Sequence, residues 1–144
     1  MAISFFTENI RLPKQFKKNL IKQWIKDVIK GLGKKTGAIN YIFCDNSKIL
    51  MLNRQYLHHD YYTDILTFDY TEGEILKGDL YISLETVNSN AVVFKTIFLN
   101  ELYRVMIHGI LHLCGIKDHT KEEKEQMTAE ENKALELLQR RIQF

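Results

Sequence analysis

Two hydrophobic periods alternate along the chain. Residues 3–6, Ile-Ser-Phe-Phe, form a short apolar run that predicts an opening strand. From Pro13 the period lengthens. Phe16, Leu20, Trp24 and Val28, joined by Ile21, Ile25 and Ile29, recur at three and four residues and predict an amphipathic helix to about Leu32. Pro13 suits its first turn, and Gly31, Gly33 and Gly37 are candidate breakers. Residues 38–44 alternate and are rich in β-branched and aromatic side chains, as a strand requires. Asp45, Asn46 and Ser47 are good N-cap types ahead of a short helix over 48–57. Residues 58–64, His-His-Asp-Tyr-Tyr-Thr-Asp, read as a loop. Strands follow over 65–70 and 78–83, with 71–77 as their connection. Ser83 or Glu85 starts a helix to about Asn90, and a longer helix covers 94–115. A last amphipathic helix runs from about Lys121 to Gln143, with Met127, Leu135, Leu138 and Ile142 turned inward. The order predicts an α+β (mixed α/β) fold, one domain over residues 1–144. Its sheet has about four strands, covered by about five helices.

Composition narrows the class. The chain has 144 residues, 45% of them hydrophobic and 26% charged, enough to bury a core without a disulfide framework. Cys44 and Cys114 have no paired metal or disulfide spacing, so two free thiols in a reducing compartment are expected. The first residues lack a basic leader pattern, and no apolar run approaches membrane-spanning length. A cytoplasmic protein with no membrane partner is the expectation. The net charge of +2 is unevenly placed: residues 14–35 carry eight lysines and one aspartate. The lysines at 14, 18, 22, 26, 30 and 34 wrap around a helix, drifting by roughly 40° per step. They are the solvated side of an amphipathic helix and, through Lys18 and Lys22, a candidate surface for phosphate backbones.

Candidate chemistry concentrates in residues 108–120, HGILHLCGIKDHT. His108 and His112 stand at i and i+4, so two imidazoles share one helix face and can converge on one cation. Gly115 can end the helix in a left-handed conformation and send Asp118 and His119 back over the same face. Two histidines with Asp118 or His119 as third ligand leave a position for water, the pattern of a catalytic zinc site on the penultimate helix and its following turn. Such a zinc brings the pKa of bound water to about 7. The zinc peptidase helix places a glutamate directly after its first histidine. Here that residue is Gly109. Cys114 points away from the pair and reads as a small core residue.

The stretch HGILHLCG followed by Asp-His resembles the YbeY family of bacterial metal-dependent endoribonucleases. LNRQY at 52–56, TDILTF at 63–68 and GDLYIS at 78–83 are similar to that family's other landmarks, in the same order. The resemblance implies a single small α/β domain with one Zn2+ per chain. It also implies single-strand-specific RNA cleavage, late processing of ribosomal RNA at the 3′ end of the small-subunit RNA, and ribosome quality control. The implied partners are single-stranded and ribosomal RNA and the small ribosomal subunit, with no DNA.

Three departures from the family pattern matter. The family places five residues between its second and third ligand histidines, whereas His112 and His119 have six between them. A gap-free count puts Asp118 at the third position and is favoured; one inserted residue would restore His119. A carboxylate there makes the zinc less electrophilic than a third imidazole does. The family arginine after the LNxxY tyrosine is Leu57 here, so Arg54, His58 and His59 are the candidates to replace its phosphate-binding role. The family proline after the SF pair is Asp69, which predicts a local change at a strand end.

Around the site, Tyr61 and Tyr62 are candidate stacking platforms for unpaired bases. Thr63 and Asp64 brace their turn. Arg104 and Glu101, one and two turns before His108, are candidates to orient an imidazole or to touch RNA. The leading expectation is a zinc-dependent endoribonuclease. Its alternatives are a zinc peptidase and a non-catalytic ribosome assembly or RNA-binding factor with a structural zinc.

Overall fold

The computed structural model describes residues 2–57 and 63–142. Its sheet contains strands β1 (Ile3–Thr7), β2 (Lys35–Cys44), β3 (Ile65–Asp69) and β4 (Ile75–Ser83), in the spatial order β1-β2-β4-β3. The first three in that order are parallel, with Ile3 opposite Ile39 and Tyr41 opposite Leu80. β3 runs antiparallel to β4, with Leu66 opposite Tyr81. The connectivity dictates this. Only five residues join β3 to β4, enough for a hairpin, whereas helices separate the strands that pair in parallel.

Five α-helices surround the sheet: α1 (Lys18–Gly31), α2 (Asn46–Leu52), α3 (Leu84–Val93), α4 (Phe98–Leu113) and α5 (Lys121–Ile142). A π-helical turn, Asn53–Leu57, follows α2. Two of the caps explain two boundaries. The Asp45 carboxylate accepts from Lys48 N at 2.9 Å, and the Ser83 hydroxyl accepts from Thr86 N at 3.2 Å.

The main core lies on one sheet face. Ile39, Tyr41, Phe43, Leu80 and Ile82 pack against Trp24, Ile25 and Ile29 of α1 and Leu102, Met106 and Ile110 of α4. Cys44, Ile49, Leu52 and Leu66 form a smaller cluster that includes α2. Two buried hydrogen bonds fix the layers. Tyr41 Oη donates to Met106 O at 2.9 Å, and Trp24 Nε1 donates to Ala134 O at 2.8 Å. The second ties α1 to α5. Among the described residues, no helix is long and apolar enough to cross a membrane.

Among the described residues the fold has the expected four strands and five helices, but several boundaries differ. Pro13 stands outside α1, in a turn closed by Phe16 N and Pro13 O at 3.0 Å. Tertiary packing overrides the local signal there, because the Phe16 ring meets Phe5 and Phe43 edge-to-face. Gly37 is no breaker. It lies inside β2, where an added Cβ would come 2.7 Å from the Leu76 carbonyl oxygen. β4 accordingly begins at Ile75, within the expected connection. α4 starts at Phe98 rather than residue 94, after a left-handed Lys95 (φ 55°) ends α3. Ile142 is exposed rather than inward. Arg141 takes the place beside α1, paired with Asp27.

Candidate metal centre

From Glu101 to Leu113, α4 is buried except at Arg104, His108 and His112, which emerge on one face. Gly109 lets it lie close to the sheet: a Cβ there would approach Ile65 Cδ1 and Leu80 Cδ2 at 2.9 Å each. The helix ends in a Schellman motif. Ile116 N donates to Leu111 O at 3.0 Å and Gly115 N to His112 O at 2.9 Å, with Gly115 at φ 94°. This turn brings the following residues back over the histidine face. A capping box then starts α5. Thr120 Oγ1 accepts from Glu123 N at 3.1 Å while Glu123 Oε1 accepts from Thr120 N at 2.9 Å.

Asp118 sits within that short return and faces both imidazoles. Its Oδ2 lies 3.4 Å from His108 Nε2 and 3.5 Å from His112 Nε2. The three ligand atoms all lie within 4.8 Å of one another. Tetrahedral zinc with bonds of about 2.0–2.1 Å separates its ligand atoms by roughly 3.3–3.4 Å. The two Asp118 edges match that spacing, so the donor set fits the ion.

The imidazoles are also prepared at their other nitrogens. Nδ1 of His108 lies 2.6 Å from Glu131 Oε2, and Nδ1 of His112 lies 3.1 Å from Ile116 O. Both partners are acceptors, so each Nδ1 carries a proton and donates. The lone pair therefore resides on Nε2, the atom turned towards Asp118.

The electrostatics separate the two rings. Burial disfavours the charged form of His108, yet Glu131, Asp118 and Asp64 outweigh it and raise its pKa. His112 is pushed the other way, first by burial and then by the charge of His108. Burial raises the pKa of the neighbouring Asp64 as well, against the pull of His108. Burial likewise raises Glu101, opposed by Arg104.

Of the residues singled out in the sequence, His108, His112 and Asp118 are thus brought together. His119 is exposed, and its backbone N donates to Glu123 Oε1 at 3.1 Å. Arg104 reaches His108 only through Glu131: its Nη1 donates to Glu131 Oε1 at 2.8 Å and its Nη2 to Asn132 Oδ1 at 2.9 Å. Glu101 is buried beside Arg104 and, among the described residues, forms no hydrogen bond or ion pair with either imidazole. Arg54 is exposed on the π turn and borders Ser47, Leu50 and Met51. Lys18 and Lys22 are remote. Lys22 Nζ rests 5.5 Å over the Phe5 ring on β1, at one sheet edge, while the histidine helix crosses Ile65 and Thr67 on β3, at the other. His58, His59, Tyr61 and Tyr62 lie outside the described residues. Asp69 accepts from Thr71 N at 2.8 Å and closes the turn after β3.

Two groups of the site were not found by sequence reasoning. Glu131 is 7% exposed. Its signal was present: Met127, Glu131, Ala134 and Leu138 form the buried stripe of α5, and a carboxylate in such a stripe needs a partner. The Thr120–Glu123 capping box was also legible as a Thr-x-x-Glu pattern.

The comparisons bear on this geometry. The sequence profile of the family described as Endoribonuclease YbeY matches residues 2–139. A protein of Parabacteroides distasonis named endoribonuclease YbeY is 57% identical over 138 residues, covering 96% of each chain. One of that name from Porphyromonas gingivalis is 48% identical over 140 residues, or 97% of this chain and 92% of its own. The solution structure of TM1509 from Thermotoga maritima superposes with a TM-score of 0.66 at 28% identity, covering 97% of this chain and 93% of that one. The family match over nearly the whole length, together with this shared fold, establishes that the chain belongs to the endoribonuclease YbeY family.

Proposed function

We propose that the protein is a zinc-dependent endoribonuclease that cuts single-stranded RNA. As a member of its family it is a nuclease acting in ribosomal RNA processing. The finer reading places its work at the 3′ end of the small-subunit RNA, in contact with the small subunit, and in ribosome quality control within the cytoplasm. One observation carries the metal reading: two Nε2 atoms and one carboxylate oxygen converge while both Nδ1 atoms are already satisfied.

Zinc, when bound, supplies Lewis acidity towards a phosphate oxygen and an acidified water. The chain's own residues do the rest. His108, His112 and Asp118 hold the ion. Glu131 and the Ile116 carbonyl keep the imidazoles in the ligating tautomer and orientation. Arg104 balances the Glu131 charge, so the buried carboxylate is not left unpaired.

The peptidase alternative loses support from the packing at Gly109. The direction a glutamate would take there leads into Ile65 and Leu80, not towards the imidazoles. A purely structural zinc is disfavoured by chemistry. Such sites are closed by four protein ligands, whereas three groups converge among the described residues, on histidines 24% and 30% exposed.

The test is cleavage of matched single-stranded and duplex RNA by zinc-loaded protein. Cutting confined to the single strand is expected. Equal cutting of both, or cutting of neither, overturns the reading. The product ends identify the nucleophile, since a 2′,3′-cyclic phosphate assigns it to the RNA 2′-hydroxyl rather than water.

A further inference from the structure

The junction between α3 and α4 exposes side chains that a folded surface ordinarily hides. Val92, Val93, Phe94 and Ile97 are 73%, 71%, 65% and 64% exposed, and Ile142 at the end of α5 is 50% exposed. They adjoin. Phe94 and Ile142 border one groove beside Tyr103, and Ile97 and Ile142 border the next, again beside Tyr103. The ridge is fixed rather than loose. Thr96 N donates to Ala91 O at 3.0 Å and Lys95 N to Val92 O at 3.3 Å, around Lys95 in the left-handed region. That turn is a Schellman motif carrying lysine where glycine is usual.

We infer that this ridge is a docking surface for a protein partner that presents apolar side chains flanked by carboxylates. The apolar part follows from the exposed area, since contiguous patches of this kind mark interaction sites. The acidic part follows from charge. Lys95 and Lys17 stand exposed beside the ridge and its second groove, with no carboxylate partner among the described residues. Nearby carboxylates are committed: Asp27 pairs with Arg141, and Glu101 is buried beside Arg104. An acidic rim on the partner would meet unpaired cations.

Two other occupants fit less well. Unpaired RNA bases are held by stacking on aromatic faces, and four of the five exposed side chains are aliphatic. A second copy in a two-fold contact would set the same lysine-bearing patch against itself, like charge against like. The exposed side chains also stand apart from the two histidines, and the first groove extends as far as Arg104. Ile97 precedes His108 by eleven positions, about 16 Å along the helix axis. A partner seated there leaves the histidine face open, so this inference stands independently of the nuclease reading.

The experiment uses two synthetic amphipathic peptides with the same apolar face, one flanked by glutamates and one by lysines. Each is titrated by fluorescence anisotropy against the wild-type protein, Val93→Ser/Ile97→Ser and Lys17→Glu/Lys95→Glu. Thermal melts check that each variant is folded, as expected for surface substitutions. The expected result is about tenfold tighter binding of the glutamate-flanked peptide. The Val93→Ser/Ile97→Ser variant loses binding of both peptides. The Lys17→Glu/Lys95→Glu variant reverses the preference. RNA cleavage is unchanged in Val93→Ser/Ile97→Ser. Equal binding of the two peptides, or binding indifferent to Val93→Ser/Ile97→Ser, overturns the inference. Loss of single-stranded RNA binding in that variant would assign the ridge to RNA. A wild-type dimer in sedimentation that this variant abolishes would assign it to a second copy.

Discussion

Glu131, on the last helix, sets its carboxylate 2.6 Å from Nδ1 of His108 and holds its other oxygen 2.8 Å from Arg104. The ring is thereby fixed from behind by a residue 23 positions away in sequence. Removal of such a partner typically weakens metal binding about 10–100-fold. Glu131→Gln is expected to lose zinc affinity in that range, measured by chelator competition, and to stay folded with a lowered melting temperature, because its amide oxygen can accept from only one of the two donors that the carboxylate serves. Unchanged affinity would show that the carboxylate does not orient the ligand.

Gly109 separates this site from peptidase chemistry. Gly109→Glu is expected to unfold or strongly destabilise the protein, by several kcal/mol, because a charge would enter the space against Ile65 and Leu80. Urea denaturation and a casein assay check it. A stable variant that cleaves protein would contradict the packing argument.

Local chemistry made much of this legible. The i, i+4 histidine pair and the glycine that ends its helix could be read directly, and a gap-free count favoured the residue that the turn brings back, Asp118. What depended on packing between distant segments could not. Glu131 matters only because α5 lies along α4. Lys18 and Lys22 follow a plausible basic pattern, but the Lys22 side chain turns to the β1 edge of the sheet, whereas the histidine helix crosses the β3 edge. Phe16 and Lys95 show the same limit at helix boundaries. An aromatic packing choice and a left-handed lysine decided where α1 and α4 begin.

Neither cysteine is set up for reaction. Burial pushes the Cys44 thiol up to about 12 and the Cys114 thiol up to about 11. Both therefore remain protonated at neutral pH, where the thiolate is the reactive form. Titration with a disulfide reagent at pH 7.5 is expected to be slow for native protein and to release two equivalents once it is denatured. Rapid labelling of the native chain would contradict this.

The ion pair that anchors the end of α5 gives a pH signature. Asp27 has its pKa lowered, mainly by its hydrogen bond from Arg141, against a smaller opposing effect of burial. Its folded pKa lies below the unfolded value of about 3.9. The stabilisation is therefore complete above that value and is lost as pH falls through the folded pKa. Both side chains are partly exposed, at 36% for Asp27 and 28% for Arg141, so the contribution is at most about 1 kcal/mol. The stability gap between wild type and Arg141→Met, followed by urea denaturation, should be constant near neutral pH and close under acid. A gap that widens under acid would contradict the assignment.

The most direct measurement of the central claim is a zinc titration of chelator-stripped protein, with single-stranded RNA cleavage followed in the same samples. It compares wild type, His112→Ala, Asp118→Ala and His119→Ala. The account predicts that wild type stays folded without metal, takes up one zinc per chain and gains cleavage in proportion. His112→Ala and Asp118→Ala should remain folded and lose both, while His119→Ala keeps its zinc. Full zinc affinity in Asp118→Ala together with its loss in His119→Ala would contradict the ligand set. Zinc-loaded wild type that leaves RNA intact would contradict the function.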